Sequence, residues 1–209
     1  MPFRVAVALV VTLALAISGC KVSVSVTPTP RPTPTAATSS TPAGSPTPAG
    51  SPTAPPSNAQ GVVVDPSLLD VLPAAIEGVP LEESPEGETE SLSDPHLGDV
   101  ATAIVAGLAI DAASGEFVYA VVVRLRPGQM GDERFRDWRD SFDEGACSQA
   151  GGVGGHAEAD IDGRTVYIGT CAGGVRTYHV WLEAPGLLIS ASSLGERRFG
   201  EKLVEGLRS

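Results

Sequence analysis

Apolar residues at helical spacing predict three helices in the second part of the chain. Asp65-Pro66 and Asp94-Pro95 each place an N-cap residue before a proline at the first helical position. Apolar residues then recur three or four positions apart between Leu97 and Leu108, so we predict an amphipathic helix there. A third helix is predicted from Asp132, and its apolar side consists of Phe135, Trp138, Phe142 and Ala146.

A fourth helix is predicted near the end of the sequence. Ser193-Leu194-Gly195-Glu196 has the spacing of a capping box, which would begin this helix. The apolar stripe that we expect it to bury consists of Phe199, Leu203, Val204 and Leu207.

Between the first two helices, Val79–Ser84 is interpreted as a strand. The acidic run Glu82–Glu90 contains Gly and Pro and is interpreted as a solvated loop.

The strand pattern begins with a central strand and a tight hairpin. Phe117–Leu125 is β-branched, aromatic and nearly all apolar, which is typical of a strand buried on both faces. Asp162-Gly163 is a two-residue hairpin signal, and placing it at the turn pairs Ile161 with Arg164. That register puts five residues on one face of the hairpin: Ala157, Ala159, Ile161, Val166 and Ile168.

A second hairpin is predicted at Pro185-Gly186, a pair suited to the centre of a type II turn. The predicted register pairs Leu182 with Ile189 and Val180 with Ala191, which gives an apolar face. The opposite face holds His179, Trp181, Ser190 and Ser192. An indole for stacking and polar groups for hydrogen bonds make this face a candidate ligand platform. The alternative interpretation is a mixed polar surface that faces solvent, with Trp181 covered by a neighbouring element.

Helices and hairpins with little βαβ regularity predict an α+β fold. We expect a mostly antiparallel sheet of about five strands with three to four helices packed on one face, preceded by a disordered tether. Residues 60–209 would form this one domain, because about 150 residues suffice for a hydrophobic core.

The N-terminus contains an uncharged apolar run, Val5–Ile17, which follows Arg4. A membrane-spanning helix needs about 20 apolar residues, so this run is too short and is typical of a signal peptide. Ser18 and Gly19 then stand directly before Cys20. This order resembles the lipobox of bacterial lipoproteins. The resemblance implies that residues 1–19 are a cleaved signal peptide and that Cys20 carries a diacylglyceryl lipid. An ordinary signal peptide with an incidental cysteine is the alternative.

Residues 20–59 are rich in Pro, Thr, Ser, Ala and Gly and contain an internal repeat around Pro42 and Pro48. This composition offers no apolar face, so we expect a disordered linker that spaces the domain from the membrane. The lipid on Cys20 would be the membrane contact, and the domain would lie on the extracytoplasmic face of the cell membrane.

Charge and cysteine content refine this interpretation. The protein has a formal charge of −11, and residues 59–209 carry 11 of the 14 basic and all 25 acidic side chains, a formal charge of −14. Nucleic acid is therefore not an expected partner. In an exported protein, Cys147 and Cys171 are predicted to form a disulfide, with two buried free thiols as the alternative.

Recognisable catalytic or metal-binding motifs are absent from the sequence. His96, His156 and His179 lack metal-ligand spacing, and Gly151–Gly155 is interpreted as a flexible connection. We therefore assign no catalytic residue, metal or cofactor.

The first hypothesis for the function is a non-catalytic binding or cell-envelope interaction domain, whose partner would be an envelope protein or a small ligand. The alternative is a carrier of a small molecule or lipid with a cavity between helices and sheet, and an enzyme is the third.

Overall fold

A sheet of eight strands organises residues 61–208, the part of the chain that the computed structural model describes. The predicted signal peptide (1–19), the lipid-bearing Cys20 and the linker (20–59) lie outside the described residues, so they remain predictions.

Helices and strands follow one another in an order that starts and ends with short elements. In chain order these are β1 (Val63–Val64), a 3-10 helix (Pro66–Val71), β2 (Ala75–Ile76), β3 (Val79–Pro80), β4 (Glu82–Glu83), α1 (Pro85–Leu92), α2 (Leu97–Val100), β5 (Ala101–Ile110), β6 (Phe117–Leu125), α3 (Asp132–Cys147), a second 3-10 helix (Ser148–Ala150), β7 (Val153–Ile161), β8 (Arg164–Cys171), β9 (Arg176–Leu182), β10 (Leu187–Leu194) and α4 (Phe199–Glu205).

The large sheet has the order β1-β5-β6-β10-β9-β8-β7, and β4 also pairs with β5. The β1–β5 pair is parallel and the other neighbours are antiparallel, so the sheet is mixed. β2 and β3 form a separate two-stranded sheet. The α+β class is confirmed, but the expected number of about five strands is too low.

Helices cover both faces of the large sheet rather than the one face expected. The first 3-10 helix and α4 bury Leu68, Phe199 and Leu203 against one face. On the other face, α2 and α3 contribute Leu97 and Phe135 to a second apolar cluster. The central strand β6 is apolar on both sides for this reason, as its sequence predicts.

The prediction of a helix between Leu97 and Leu108 is wrong. Only Leu97–Val100 is helical, and Ala101–Ile110 forms β5. Ile104, Val105 and Ala106 are successive residues that are all fully buried, which a one-sided helix could not achieve. A strand between two helical layers buries both faces, and β-branched residues suit it.

The prediction of a solvated loop at Glu82–Glu90 is also wrong, because Pro85–Leu92 forms helix α1. The Ser84 hydroxyl accepts a hydrogen bond from the Gly87 backbone N–H at 3.4 Å, and Pro85 occupies the first helical turn. Glu86 and Glu88 lie in that turn, where the helix dipole favours acids. The strand predicted at Val79–Ser84 is split into β3 and β4.

The β7–β8 hairpin has the predicted register, with Ile161 opposite Arg164 and Ala159 opposite Val166. The β9–β10 register differs from the prediction by two residues, because Leu182 pairs with Leu187 and not with Ile189. A four-residue turn replaces the predicted two-residue turn. Since side chains alternate with a period of two, this shift leaves every residue on its predicted face.

Two further predictions near the glycines and the last helix are corrected. The segment Gly151–Gly155 is not a flexible connection throughout, because its last three residues belong to β7. The predicted capping box is wrong, since Ser193 lies in β10 and α4 begins at Phe199. The Ser193 hydroxyl nevertheless accepts a hydrogen bond from the Gly200 N–H at 3.2 Å. The predicted apolar stripe of α4 is buried, as expected.

The predicted disulfide is present and joins Cys147 at the end of α3 to Cys171 at the end of β8. Both cysteines are buried, and their Cα atoms are 5.1 Å apart. This bond fixes the end of α3 against the sheet, next to the polar cluster described below.

Candidate functional site

Helix α3 lies across β8, β9 and β10 and turns one acidic side chain toward the sheet. Asp143 is only 1% exposed, although it stands in a helix whose other acids face solvent. It lies one turn before the buried Cys147, on a side of the helix that faces the sheet, and its carboxylate contacts polar side chains of β9.

The Asp143 carboxylate accepts three hydrogen bonds from side chains. His179 Nε2 lies 2.8 Å from Oδ1, and the Thr177 hydroxyl donates to the same oxygen. His156 Nε2 lies 3.0 Å from Oδ2. Burial alone would raise the pKa of Asp143, but the hydrogen bonds from His179 and Thr177 and the two imidazoles outweigh it, and the pKa is lowered. Asp143 is therefore held as a carboxylate.

The network continues from His179 to Ser190 and Trp138. His179 Nδ1 lies 3.0 Å from Ser190 Oγ, which also accepts a hydrogen bond from Trp138 Nε1–H at 2.9 Å. The indole nitrogen can only donate, so the serine hydroxyl proton is free to donate to Nδ1. Every donor of this arrangement is paired when Nδ1 accepts from Ser190 and Nε2–H donates to Asp143.

A glycine on β8 lets α3 approach this closely. Gly169 N–H donates to the Thr177 hydroxyl at 3.1 Å. A Cβ atom at Gly169 would lie 2.6 Å from Asp143 Oδ2, which is closer than real contacts allow. The absence of a side chain at this position is therefore a condition for the polar network. We name the set Asp143, His156, Thr177, His179, Ser190 and Trp138 the α3 network.

Ser190, His179 and Asp143 follow one another in the order of a hydrolase triad, but substrate could not reach the serine. Each of the three side chains is 1% exposed. Ser190 Oγ is also engaged by both Trp138 and His179. A nucleophilic serine needs an open position beside it for the carbonyl and an oxyanion site. The role that this geometry supports for the α3 network is to fix helix α3 on β9 and β10.

The candidate ligand face predicted from the sequence occupies one face of the sheet, as expected from its register. His179 and Ser190 lie opposite each other on β9 and β10. The face is not open to solvent, because α3 covers it. Trp181 is half-buried, with its ring 5.9 Å from that of Phe135, and Ser192 lines a groove next to the network.

Sequence reasoning missed Asp143, His156, Thr177 and Trp138 as partners of this face. One signal was available for the acid. Asp143 lies one helical turn before Cys147, so the predicted disulfide to Cys171 would bring this acid toward the sheet, where it needs a buried partner.

A first groove of about 430 Å3 runs between α3 and the β7–β8 hairpin. His156 lines it and is 55% exposed, so it connects the buried Asp143 with solvent. The Arg139 guanidinium stacks on Tyr167 with 3.9 Å between its central carbon and the ring centroid. The remaining charged residues of this lining carry both signs: Arg136, Asp140 and Glu158.

A second groove of about 400 Å3 lies between α1 and α3, with β6 and β10 as its floor. We name it the α1–α3 groove. The residues that line it are Glu90, Ser91, Asp94, Leu97, Tyr119, Val121, Trp138, Ser141, Phe142, Gly145, Ala146 and Ser192. Three half-buried aromatic rings, those of Tyr119, Trp138 and Phe142, thus face one groove.

Comparison with family models, curated proteins and solved structures finds no significant match to this chain. Within residues 61–208, no cluster of His, Cys, Asp and Glu side chains could hold a metal ion. The same part of the chain contains no helix that is long and apolar enough to span a membrane.

Proposed function

We propose that the protein is a lipid-anchored, extracytoplasmic binding domain whose ligand lies in the α1–α3 groove. Cys20 would carry the lipid, and residues 20–59 would space the domain from the membrane. The observation that carries the proposal is the groove itself, which lies between helices and sheet and combines an apolar floor with aromatic walls. Its volume is within the range of about 300–1,000 Å3 that is typical of small-molecule sites.

The burial and hydrogen bonding of Ser190 in the α3 network support binding rather than catalysis. Ser190 is the nucleophile that a hydrolase would use, and its oxygen is both buried and hydrogen-bonded on two sides. The network instead holds two of the aromatic walls in place, since Trp138 bonds to Ser190 and Phe142 packs edge-on against His179 at 5.3 Å. A rigid, preorganised wall reduces the entropy that binding must overcome.

The ligand site is tested by filling the groove. Native mass spectrometry of the protein purified from its own host should detect a retained small molecule. Ala146→Trp places a large ring in the groove and should abolish retention. Ala113→Trp is the matched control, because Ala113 is exposed in the turn between β5 and β6. Equal retention by the Ala146 variant and the control would contradict the proposed site.

The anchor is tested separately. Cys20→Ser removes the sulfur that would carry the lipid, so the protein should move from the membrane fraction to the soluble or secreted fraction. Cell fractionation with immunoblotting measures this. Unchanged membrane association of the variant would contradict the lipoprotein assignment but would leave the groove proposal standing.

A carrier of small molecules or lipids is the second candidate function, and the position of the groove between helices and sheet favours it as well. The two functions differ in whether the protein transfers its ligand from one membrane to another. A carrier should speed the transfer of a fluorescent lipid between donor and acceptor vesicles in proportion to protein concentration. A binding domain should only withdraw the lipid from both.

A further inference from the structure

We propose that the α1–α3 groove binds amphipathic organic cations, with the apolar body on the aromatic walls and the cationic group beside Glu90 and Asp94. This inference rests on the proposed binding function and names the ligand class of the same groove.

The charges that line the groove have one sign. Glu90 and Asp94 are its charged residues, and both are exposed at the rim formed by the end of α1. The first groove differs in this respect, since its lining includes Arg136 and Arg139. An anionic group bound at the rim would meet two acids without a basic neighbour in the lining, whereas a cation would meet a complementary charge. The formal charge of −14 on residues 59–209 acts in the same direction.

The aromatic walls suit a cation with an apolar body. Aromatic rings bury the apolar chain of a ligand, and they are compatible with a neighbouring cation because their faces attract positive charge. Tyr119, Trp138 and Phe142 line the same groove as the two acids. Leu97 of α2 and Val121 of β6 add buried apolar surface for the rest of the ligand.

Each of the three rings is fixed before a ligand arrives. Trp138 Nε1–H donates to Ser190, Phe142 packs edge-on against His179, and the Tyr119 hydroxyl donates to the Gly87 carbonyl at 3.3 Å. These contacts take up the polar edges of the indole and the phenol. The rings therefore offer the groove apolar surface, and the rim acids supply the charged recognition.

Three probes with the same chain length separate the effect of charge from that of apolar burial. Decyltrimethylammonium, decyl sulfate and 1-decanol are titrated below micelle-forming concentrations into the full chain. Binding is followed by calorimetry and by the fluorescence of Trp138 in a Trp181→Phe background. We expect the cation to bind about tenfold tighter than the alcohol, and the anion to bind more weakly than the alcohol.

A pair of double variants locates the charge effect. Glu90→Gln combined with Asp94→Asn should reduce the preference for the cation to less than about threefold. Asparagine keeps the side-chain oxygen that accepts a hydrogen bond from the His96 N–H at 2.8 Å, so the turn is preserved. The control combines Glu86→Gln with Asp70→Asn, which alters net charge equally at exposed positions outside the groove. It should retain the full preference.

Each contrary result overturns a defined part of the reasoning. If the alcohol or the anion binds as tightly as the cation, the ligand class is wrong while binding in the groove stands. If the control loses the same preference, the effect comes from net charge and the rim is not the recognition site. If no probe binds, or if Ala146→Trp leaves binding of all three unchanged, the groove is not the binding site and the proposed function fails with the inference.

Discussion

Replacement of Asp143 tests how much of the stability of the domain depends on the α3 network. Asp143→Ala removes the acceptor of two buried donors, His179 Nε2–H and the Thr177 hydroxyl. An unsatisfied buried donor costs about 1–3 kcal/mol, so the loss of both lowers the free energy of unfolding by about 2–6 kcal/mol. Total stabilities are commonly about 5–15 kcal/mol, so this is a large fraction.

A conservative variant separates the hydrogen bonds from the charge. Asp143→Asn keeps a carbonyl oxygen for His179 and Thr177, and its amide nitrogen replaces the oxygen that faces His156. His156 is 55% exposed and can turn toward solvent. We therefore expect Asp143→Asn to lose only about 1 kcal/mol. His156→Ala is the control for the exposed end of the network and should lose less than about 1 kcal/mol.

The pH dependence follows from the lowered pKa of Asp143. Its pKa lies below the ordinary value of 3.8 because hydrogen bonds and the imidazoles outweigh the effect of burial. A lowered folded-state pKa means that the unfolded chain binds the proton more tightly. The stabilisation is therefore fully present above the unfolded value and is lost as pH falls through the folded value. Asp143→Asn removes this contribution and should flatten the stability profile below about pH 4.

Urea unfolding of the disulfide-bonded protein, followed by circular dichroism at pH 7 and at several values between 2.5 and 5, provides the free energies. The reasoning is refuted if Asp143→Ala loses less than about 1 kcal/mol at pH 7. It is also refuted if Asp143→Asn is as damaging as Asp143→Ala, because the buried donors would then not be what the carboxylate satisfies.

The remaining predictions concern the core, the disulfide and a buried acid of α1. Val166 is fully buried, so Val166→Asp should lower the free energy of unfolding by more than about 3 kcal/mol. Asp160→Ala removes only an exposed turn contact to the Gly163 N–H and should lose about 1 kcal/mol or less; the reverse order in thermal melts contradicts the observed register. Reduction of the disulfide should lower the melting temperature, with a loss of about 3 kcal/mol, and thiol titration of the folded, unreduced protein should find neither partner free. Glu88 is 4% exposed, and burial followed by the nearby Glu83 carboxyl raises its pKa although the Ala106 N–H opposes the shift. A raised folded-state pKa gives stabilisation below the unfolded value of 4.5 that is lost as pH rises, so Glu88→Gln should increase stability more at pH 7 than at pH 4; an equal effect at both pH values contradicts this reasoning.

The elements that the sequence predicted well are those whose signals are local. The β7–β8 hairpin follows from Asp162-Gly163, since turn chemistry and alternation agree on one register. Strand β6 follows from a run that is apolar at nearly every position. The β9–β10 turn is longer than Pro185-Gly186 indicates, yet the predicted faces are right because the register shift is even.

Strand β5 and helix α1 were mispredicted because their surroundings decide their structure. Leu97–Leu108 has apolar residues at helical spacing, but it has them at most other positions too. Only the knowledge that a helical layer covers each face of the sheet distinguishes the two interpretations. Helix α1 has an acidic sequence with little apolar character. It is held by its Ser84 cap and by the hydrogen bond that the Ala106 N–H of β5 donates to Glu88.

The α3 network was not predicted either, because its residues are far apart in the sequence. Asp143 lies 13 residues from His156 and 36 from His179, so no motif spacing connects them. The alternation of β9 and β10 does place His179 and Ser190 on one face. The predicted disulfide brings the Cys147 end of the helix to the sheet. Asp143 lies one turn before Cys147, so it would be buried there, and a buried carboxylate requires donors. The two unexplained features, a polar sheet face and an acid on a buried helix face, satisfy each other when the helix lies on that face. Pairing such mismatches between predicted elements therefore predicts a tertiary contact that neither element indicates alone.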